Sequence, residues 1–317
     1  GVQTCALPIW ERFISPVGKP DTKLLEKEKI RQILKTFQLS VTNLNKYLKC
    51  PLTFYFETVL RIATAKVPAL AFGSAVHKAL EKLFRAMAED PEKKFPPLDK
   101  AIWWFDCDME RMRDSFTDPE FENRSEYGRL KVLPGYYKTL PDRWPTVVTV
   151  ERDLANVVFA DVPLRGKLDQ IDFDGNDATV IDYKTGQLHK AKSTRKSFNP
   201  PKPDATEDSS FVERYGGNYW RQAVFYKILV DNDNRKNWRA TSTRFEFVEP
   251  QDKDGEPKVE KVVVTAEDVA IVGAQIKQAW RGIQALEFEH GCGEEDCRWC
   301  SFARDQYGVL KPESEAV

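Results

Sequence analysis

The sequence predicts an α/β protein with a mixed central sheet flanked by helices around one core. Three observations carry this expectation. Apolar residues recur at helical spacing before residue 116, β-branched and aromatic residues alternate with polar ones from Thr146 to Lys184, and helical spacing returns after a basic loop. With 317 residues, 41% of them hydrophobic, the chain has ample material for a buried core.

The opening GVQTCALPI carries no charge, unlike the Lys- and Glu-rich stretch that follows. It lacks the basic start and continuous apolar run of a signal peptide. The string resembles the translation of a sequencing-adapter read joined to a gene fragment. Gly1 to Ile9, Cys5 included, is therefore expected to be non-native, with an ordinary apolar strand as the alternative. On that expectation the natural protein extends upstream.

Residues 10–38 read as a connector helix, capped by Asp21 or Thr22, with Leu24, Leu25, Ile30, Ile33, Leu34 and Phe37 near helical spacing. SVTNLNKYLKCP predicts a short helix capped by Ser40 or Thr42 and stopped near Pro51. Phe72 to Glu89 is a stronger helical pattern, with Val76, Leu80, Leu83 and Met87 as its seam, and a further helix covers Ala101 to Phe116. About four strands are expected from Thr146 to Lys184, broken at Asn156, Pro163 and Gly175-Asn176, the last two forming a hairpin around DGND. A loop rich in Lys, Ser and Pro spans Gly186 to Gly217. Trp220 to Val230 reads as a helix, Ala240 to Val248 and Lys258 to Val264 as another hairpin, and Ala266 to Leu286 as a long helix. The main domain is expected over 39–307, with a flexible tail at 308–317. There is no internal repeat and no GxxxxGK(S/T) phosphate loop.

Composition excludes several classes. Lys plus Arg number 48 against 49 Asp plus Glu, a formal charge of −1, so no overall basic coat is present, although a local basic groove is allowed. No run approaches the apolar length of a membrane span. Six cysteines are too few for a disulfide scaffold, and three of them crowd into positions 292–300. That pattern fits metal ligation in a reducing compartment, so a cytoplasmic protein is expected.

The informative stretch is RGKLDQIDFDGNDATVIDYKTGQ. Asp182 and Lys184 stand two apart on a predicted strand and share one face. A hairpin would bring Asp169 near Asp182, and two converging carboxylates repel unless a divalent cation lies between them. A lysine beside them would hold a water or stabilise developing negative charge, which suits phosphodiester hydrolysis. On spacing alone, a solvated hairpin bearing surface charges remains the stronger reading, because D-x-K is a common tripeptide.

Further motifs change that balance. GKLD followed by IDYKTG resembles motifs II and III of the RecB/AddB-like branch of the PD-(D/E)xK nuclease superfamily. GSAVH at Gly73–His77, QAVFY at Gln222–Tyr226 and KYLKCP around Cys50 are similar to that family's other motifs and stand in family order, spanning roughly residues 39–302. The resemblance implies a restriction-endonuclease-like core and metal-dependent DNA cleavage with Mg²⁺ or Mn²⁺. It implies His77, Asp169, Asp182 and the backbone carbonyl of Tyr183 as metal ligands, with Asp169, Asp182, Lys184, Gln222 and Tyr226 as the catalytic set. Gln222 and Tyr226 lie one helical turn apart and can reach one site. Glu151 is a possible supporting carboxylate or an ordinary strand-edge residue.

Cys292, Cys297 and Cys300 form a C-x4-C-x2-C knot. Related nucleases staple the domain with a 4Fe–4S cluster held by one early and three late cysteines, and Cys50 fits the early role. The late trio there typically runs C-x2-C-x5-C, whereas Gln306 stands at that x5 position here and the extra cysteine, Cys292, lies upstream. An iron–sulfur cluster is the favoured expectation, with Zn²⁺ or no metal as alternatives and His290 as a conceivable replacement ligand. Cys107 is expected to be buried and apolar.

From Lys184 to Lys202 there are six basic residues and no acid. Lys190, Lys192, Arg195 and Lys196 are candidate phosphate contacts, and Phe198, Phe211, Tyr215, Tyr219 and Trp220 candidate base-stacking rings, Trp220 equally a core residue. Each lysine alone reads as well as a solvated loop residue. The expected partners are DNA, chiefly single-stranded, and a helicase region of the same natural chain or a helicase subunit, with no membrane. A stand-alone single-strand exonuclease like the CRISPR-associated family, or a catalytically silent DNA-binding module, are the competing readings.

Overall fold

Period-2 burial along the middle of the chain builds one five-stranded sheet. In the computed structural model the described residues are 27–65, 67–140, 148–174, 177–251 and 255–307. The adapter-like segment, the connector up to residue 26 and the 308–317 tail lie outside them. The strands are β1 (Val148–Phe159), β2 (Val162–Asp174), β3 (Asp177–Lys184), β4 (Arg239–Gln251) and β5 (Glu256–Val263), arranged in the order β1-β2-β3-β4-β5. Neighbours are antiparallel except for the parallel pair β3–β4, so the sheet is mixed.

Three strands occupy the stretch where about four were expected. Asn156 does not end a strand; it sits in a bulge with φ 59°, and the β1–β2 ladder resumes at Val157. Gln38 closes the bulge, donating to Asn156 Oδ1 and accepting from its N–H, both at 2.8 Å. Pro163 lies second in β2, near the strand start where a missing N–H is tolerated, and its carbonyl accepts from Leu39 N at 2.8 Å.

The helices are α1 (Lys27–Leu34), α2 (Val41–Lys49), α3 (Pro51–Phe54), α4 (Pro68–Glu89), α5 (Leu98–Arg111), α6 (Asp118–Tyr127), α7 (Leu133–Tyr137), α8 (Leu188–Lys192), α9 (Phe211–Tyr215), α10 (Asn218–Asp231), α11 (Ala266–Ala285) and α12 (Arg298–Tyr307). Local chemistry sets several starts. Ser40 Oγ accepts from Asn43 N at α2, Pro68 opens α4, and Thr265 and Asp268 cap α11 reciprocally. The connector helix ends at Leu34 rather than Gln38, because Leu39 bridges to Leu164 in the sheet. The helix expected over Ala101–Phe116 stops at Arg111 and tightens into a 3₁₀ turn, Arg113–Ser115. Among the described residues no helix is long and apolar enough to cross a membrane.

The chain divides into two units. The larger, Gln38–Leu48 with Ala63–Trp280, holds the sheet. Its core joins the buried face of α4 (Val76, Leu80, Leu83, Phe84) to Phe105 and Met109 of α5, Tyr136 of α7, and Ile181 and Tyr183 of β3. Helix α10 packs against β4 and β2. Its approach to β2 requires Gly166, where a Cβ would lie 2.4 Å from Leu229 Cδ1. The smaller unit comprises Lys49–Ile62 and the described parts of 1–37 and 281–317. Rings fill it: Phe54 and Tyr55 stack on Phe288, and Phe56 stacks on Trp299 at 4.5 Å.

Candidate active site and thiol centre

The β2–β3 ladder pairs Gln170 with Ile181, and one further step along the same register sets Asp169 opposite Asp182. Tyr183 N donates to Asp169 Oδ2 at 3.0 Å. Two residues along β3, on the face of Asp182, Lys184 Nζ lies 2.5 Å from Asp182 Oδ2. Helix α10 adds Gln222 and Tyr226. Gln222 Nε2 and the Tyr226 hydroxyl both donate to Asp182 Oδ1, at 2.9 and 2.7 Å, and Lys184 Nζ donates to Gln222 Oε1 at 3.0 Å. These partners fix which way the Gln222 amide points. Helix α4 brings His77, whose Nδ1 is 3.3 Å from Asp169 Oδ2. The structure thus gathers His77, Asp169, Asp182, Lys184, Gln222 and Tyr226. Tyr183 differs: its hydroxyl donates to Gln170 and its ring stacks on Phe84, so only its backbone borders the carboxylates.

Burial and charge oppose each other here. Burial pulls the His77 imidazole down, but Asp169 outweighs it and holds the group above the ordinary histidine range. Burial likewise pushes Asp169 up, while His77, the Tyr183 N–H and Lys184 together bring it below the usual carboxylate range. Asp182 stays raised: burial and the Asp169 charge exceed the pull of Lys184. Burial lowers Lys184, yet Asp182 more than offsets it, so the ammonium is retained. Asp182 is 4% exposed; its Oδ2 meets the Lys184 ammonium at 2.5 Å, while Gln222 and Tyr226 hold Oδ1. The carboxylates of Asp182 and Asp169 and the His77 imidazole together form a donor set that fits a hard divalent cation.

The family model of the PD-(D/E)XK nuclease superfamily matches residues 38–304. The chain belongs to this superfamily. No curated protein matches it. Among solved structures, a protein from Eubacterium rectale described as "Putative exonuclease" is similar at 15% identity, covering 91% of this chain and 94% of that one with a TM-score of 0.47. SSO0001 is similar at 12% identity over 90% and 93%, with a TM-score of 0.27.

Around this candidate site stand residues that sequence reasoning missed. Tyr219 was assigned to base stacking, but its ring lies under Lys184 Nζ at 4.5 Å and stacks on Phe245. Phe198 packs in the same ring cluster, and Trp220 is a buried core residue whose indole N–H donates to Asp268. Glu249 Oε1 accepts from Gly186 N at 2.6 Å, and Gln251 accepts from Leu188 N and donates to Gly186 O, clamping the turn after Lys184. Only Gly186, at φ 108°, left a local signal of that turn. Gly73 allows α4 to meet it closely, since a Cβ there would lie 2.8 Å from Thr185 Oγ1. Of the basic candidates, Lys190 and Lys196 are exposed, Lys192 pairs with Glu260 at 2.7 Å, and Arg195 is half-buried. The Glu151 side chain lies outside the described residues.

The second cluster is the thiol group. Cys50, Cys292, Cys297 and Cys300 all lie in the smaller unit with their sulfurs within 4.8 Å of one another. Cys50 Sγ and Cys292 Sγ are each 3.7 Å from Cys300 Sγ, and Cys297 Sγ is 4.0 Å from Cys50 Sγ. Cys50 caps α3, accepting from Thr53 N, and Pro51 follows at the first helical position. Burial raises Cys297, but the N–H of Cys300 and the Thr53 hydroxyl bring it down to about 7. His290 is exposed and outside the group, and Cys107 is half-buried rather than fully buried. The four sulfurs suit a soft metal. Their spacing does not suit the cuboidal cluster that the resemblance implied, since sulfurs near van der Waals contact leave no room for its eight atoms.

Proposed function

We propose that the chain is a metal-dependent deoxyribonuclease acting on single-stranded DNA, as the C-terminal module of a DNA repair helicase–nuclease. The observation that carries the nuclease chemistry is the convergence of the buried Asp182 with Asp169, His77 and a charged Lys184. His77, Asp169, Asp182 and the Tyr183 carbonyl would hold Mg²⁺ or Mn²⁺. Such an ion supplies phosphate polarisation and a water of lowered pKa. Lys184, steered by Asp182, Gln222 and the face of Tyr219, holds the attacking water or neutralises charge developing on the phosphate. Gln222 and Tyr226 donate to Oδ1 of Asp182 and so fix the orientation of that carboxylate. Lys190, Lys192, Arg195 and Lys196 follow the phosphates of the strand. The single-strand preference and the helicase context rest on resemblance of the motif set to the RecB/AddB-like branch.

Digestion of labelled single- and double-stranded DNA with Mg²⁺ or Mn²⁺ tests this reading against Lys184→Ala and Asp182→Ala. Single strands should be degraded faster by the unaltered protein, and Mn²⁺ should support activity at least as well as Mg²⁺. Equal degradation by all three proteins would sink the assignment. Clearly weaker activity with Mn²⁺ would count against His77 as a ligand.

A further inference from the structure

We propose that the four cysteines bind one zinc ion in a tetrahedral site, in place of an iron–sulfur cluster. Four thiolates on one ion at the usual zinc–sulfur bond length stand about 3.8 Å apart at the edges of their tetrahedron. The separations in the structure, 3.7, 3.7 and 4.0 Å, with every pair inside 4.8 Å, match that figure. A cuboidal cluster needs the opposite arrangement. Each thiolate binds a different iron and points outward from a body that must fit between the four sulfurs. To admit that body, three late cysteines and Cys50 would all have to retreat from one another. The retreat is opposed on each side: Thr53 N holds Cys50 Sγ at 3.4 Å, Thr53 Oγ1 lies 3.6 Å from Cys297 Sγ, and the Phe56–Trp299 stack backs the segment.

The loop chemistry agrees. Every sulfur of the group is met by a backbone N–H: Thr53 for Cys50, Glu294 for Cys292, Cys300 for Cys297 and Gly293 for Cys300. Such bonds disperse the charge of four thiolates on a divalent ion, which leaves the site doubly negative. Gly293, at φ 74°, makes the turn that aims two of them. The upstream position of Cys292 is then explained by geometry. With the sulfurs only a bond and a half apart, a short turn through Gly293 returns the chain to Cys297, and no fourth ligand beyond Cys300 is required. Zinc has no redox chemistry, so the site is an inert staple joining Cys50 to Cys300, 250 residues later, within the smaller unit.

The full chain, produced under anaerobic conditions in iron-supplemented cells that overexpress cluster-assembly proteins, tests the proposal. The expected result is about one zinc per chain, no acid-labile sulfide, no visible absorption and no loss of metal on exposure to air. Titration with a thiol-specific mercurial should release that zinc as four thiols react, and replacing it with Co²⁺ should give the intense visible bands of tetrahedral sulfur ligation. Iron in any form, or a metal-free protein, overturns the proposal. Cys292→Ser should lose zinc to a competing chelator at least tenfold faster than the unaltered chain, whereas Cys107→Ser should match it. Unchanged retention in Cys292→Ser would also overturn it, and the metal analysis of the unaltered chain stands even if that variant fails to fold. Nuclease assays on the same preparations report separately on the carboxylate site.

Discussion

Ionisable groups of one kind converge in both the carboxylate site and the thiol group, yet the two regions hold them by different means. At the first, Asp169, Asp182 and Lys184 stand on paired strands, and His77, Gln222 and Tyr226 arrive on the faces of two helices. Regular ladders set their spacing, and neighbouring side chains of opposite charge, His77 and Lys184, share the load. At the second, no cation among the described side chains reaches the sulfurs; backbone N–H groups from a short helix start and a tight turn surround them. The first mixes carboxylates, an imidazole and an ammonium, as an exchangeable metal and a reacting water require. The second is built of sulfur alone, with three of its four cysteines buried, as suits a structural ion.

The largest expected effect separates the two regions cleanly. Lys184→Ala should reduce nuclease turnover by roughly a hundredfold or more, the scale for removing a group that stabilises developing charge. Its thiol-bound metal should be unchanged by elemental analysis. A variant that lost both would show that the regions are one cooperative device. Cys300→Ala should do the converse, releasing the metal and lowering unfolding free energy by more than about 3 kcal/mol, as loss of a structural metal does. Denaturant midpoints would measure it, and an unshifted midpoint would remove the staple from the account.

A smaller effect comes from protons. His77 is raised, so the stability it draws from Asp169 is present below the ordinary histidine pKa and fades as pH rises through the raised value. Asp169 is lowered, so its share is present above the ordinary carboxylate pKa and is lost as pH falls through the depressed one. A metal must displace the His77 proton, so Mn²⁺ should bind more tightly as pH rises, by at most about tenfold per unit for one proton. Calorimetry in buffers of different ionisation heat should detect its release. His77→Ala should flatten the dependence; a slope unchanged by that substitution would assign the proton elsewhere. The thiol group should show no such exchange over the same range once loaded.

How much of this was readable in the sequence follows from how local each constraint is. Asp182 and Lys184 share a face because a strand has period two, and Gln222 and Tyr226 because a helix turn has nearly four residues; both pairs could be placed without coordinates. His77 could not, since its partner lies 92 residues away and only the motif order joined them. Glu249 and Gln251 were invisible for the same reason: they act on a turn 63 residues earlier, from an unremarkable strand end. The strand count failed because Asn156 adopts a conformation that usually ends a strand, while Gln38 completes its hydrogen bonds and the ladder continues. Helix α6 was missed because, of its residues, only Ser125 is buried; no apolar stripe announced it, although the capping box of Thr117 and Glu120 was present in the sequence.

The smallest effect tests the basic loop. Lys190 and Lys196 are exposed, whereas Lys192 spends its charge on Glu260. If the loop follows a single strand, removing either exposed lysine should lower the salt dependence of DNA binding by about 0.7 per charge and weaken binding alike for all sequences. Lys192→Ala should change that slope less, because its ammonium is already partly neutralised and its loss frees Glu260 to repel phosphate. The two substitutions therefore differ in kind: one deletes a counterion-releasing contact, and the other exposes an acid. A larger slope change for Lys192 than for Lys196 would mean that DNA displaces Glu260, and that the strand runs closer to β5 than to the exposed side of α8.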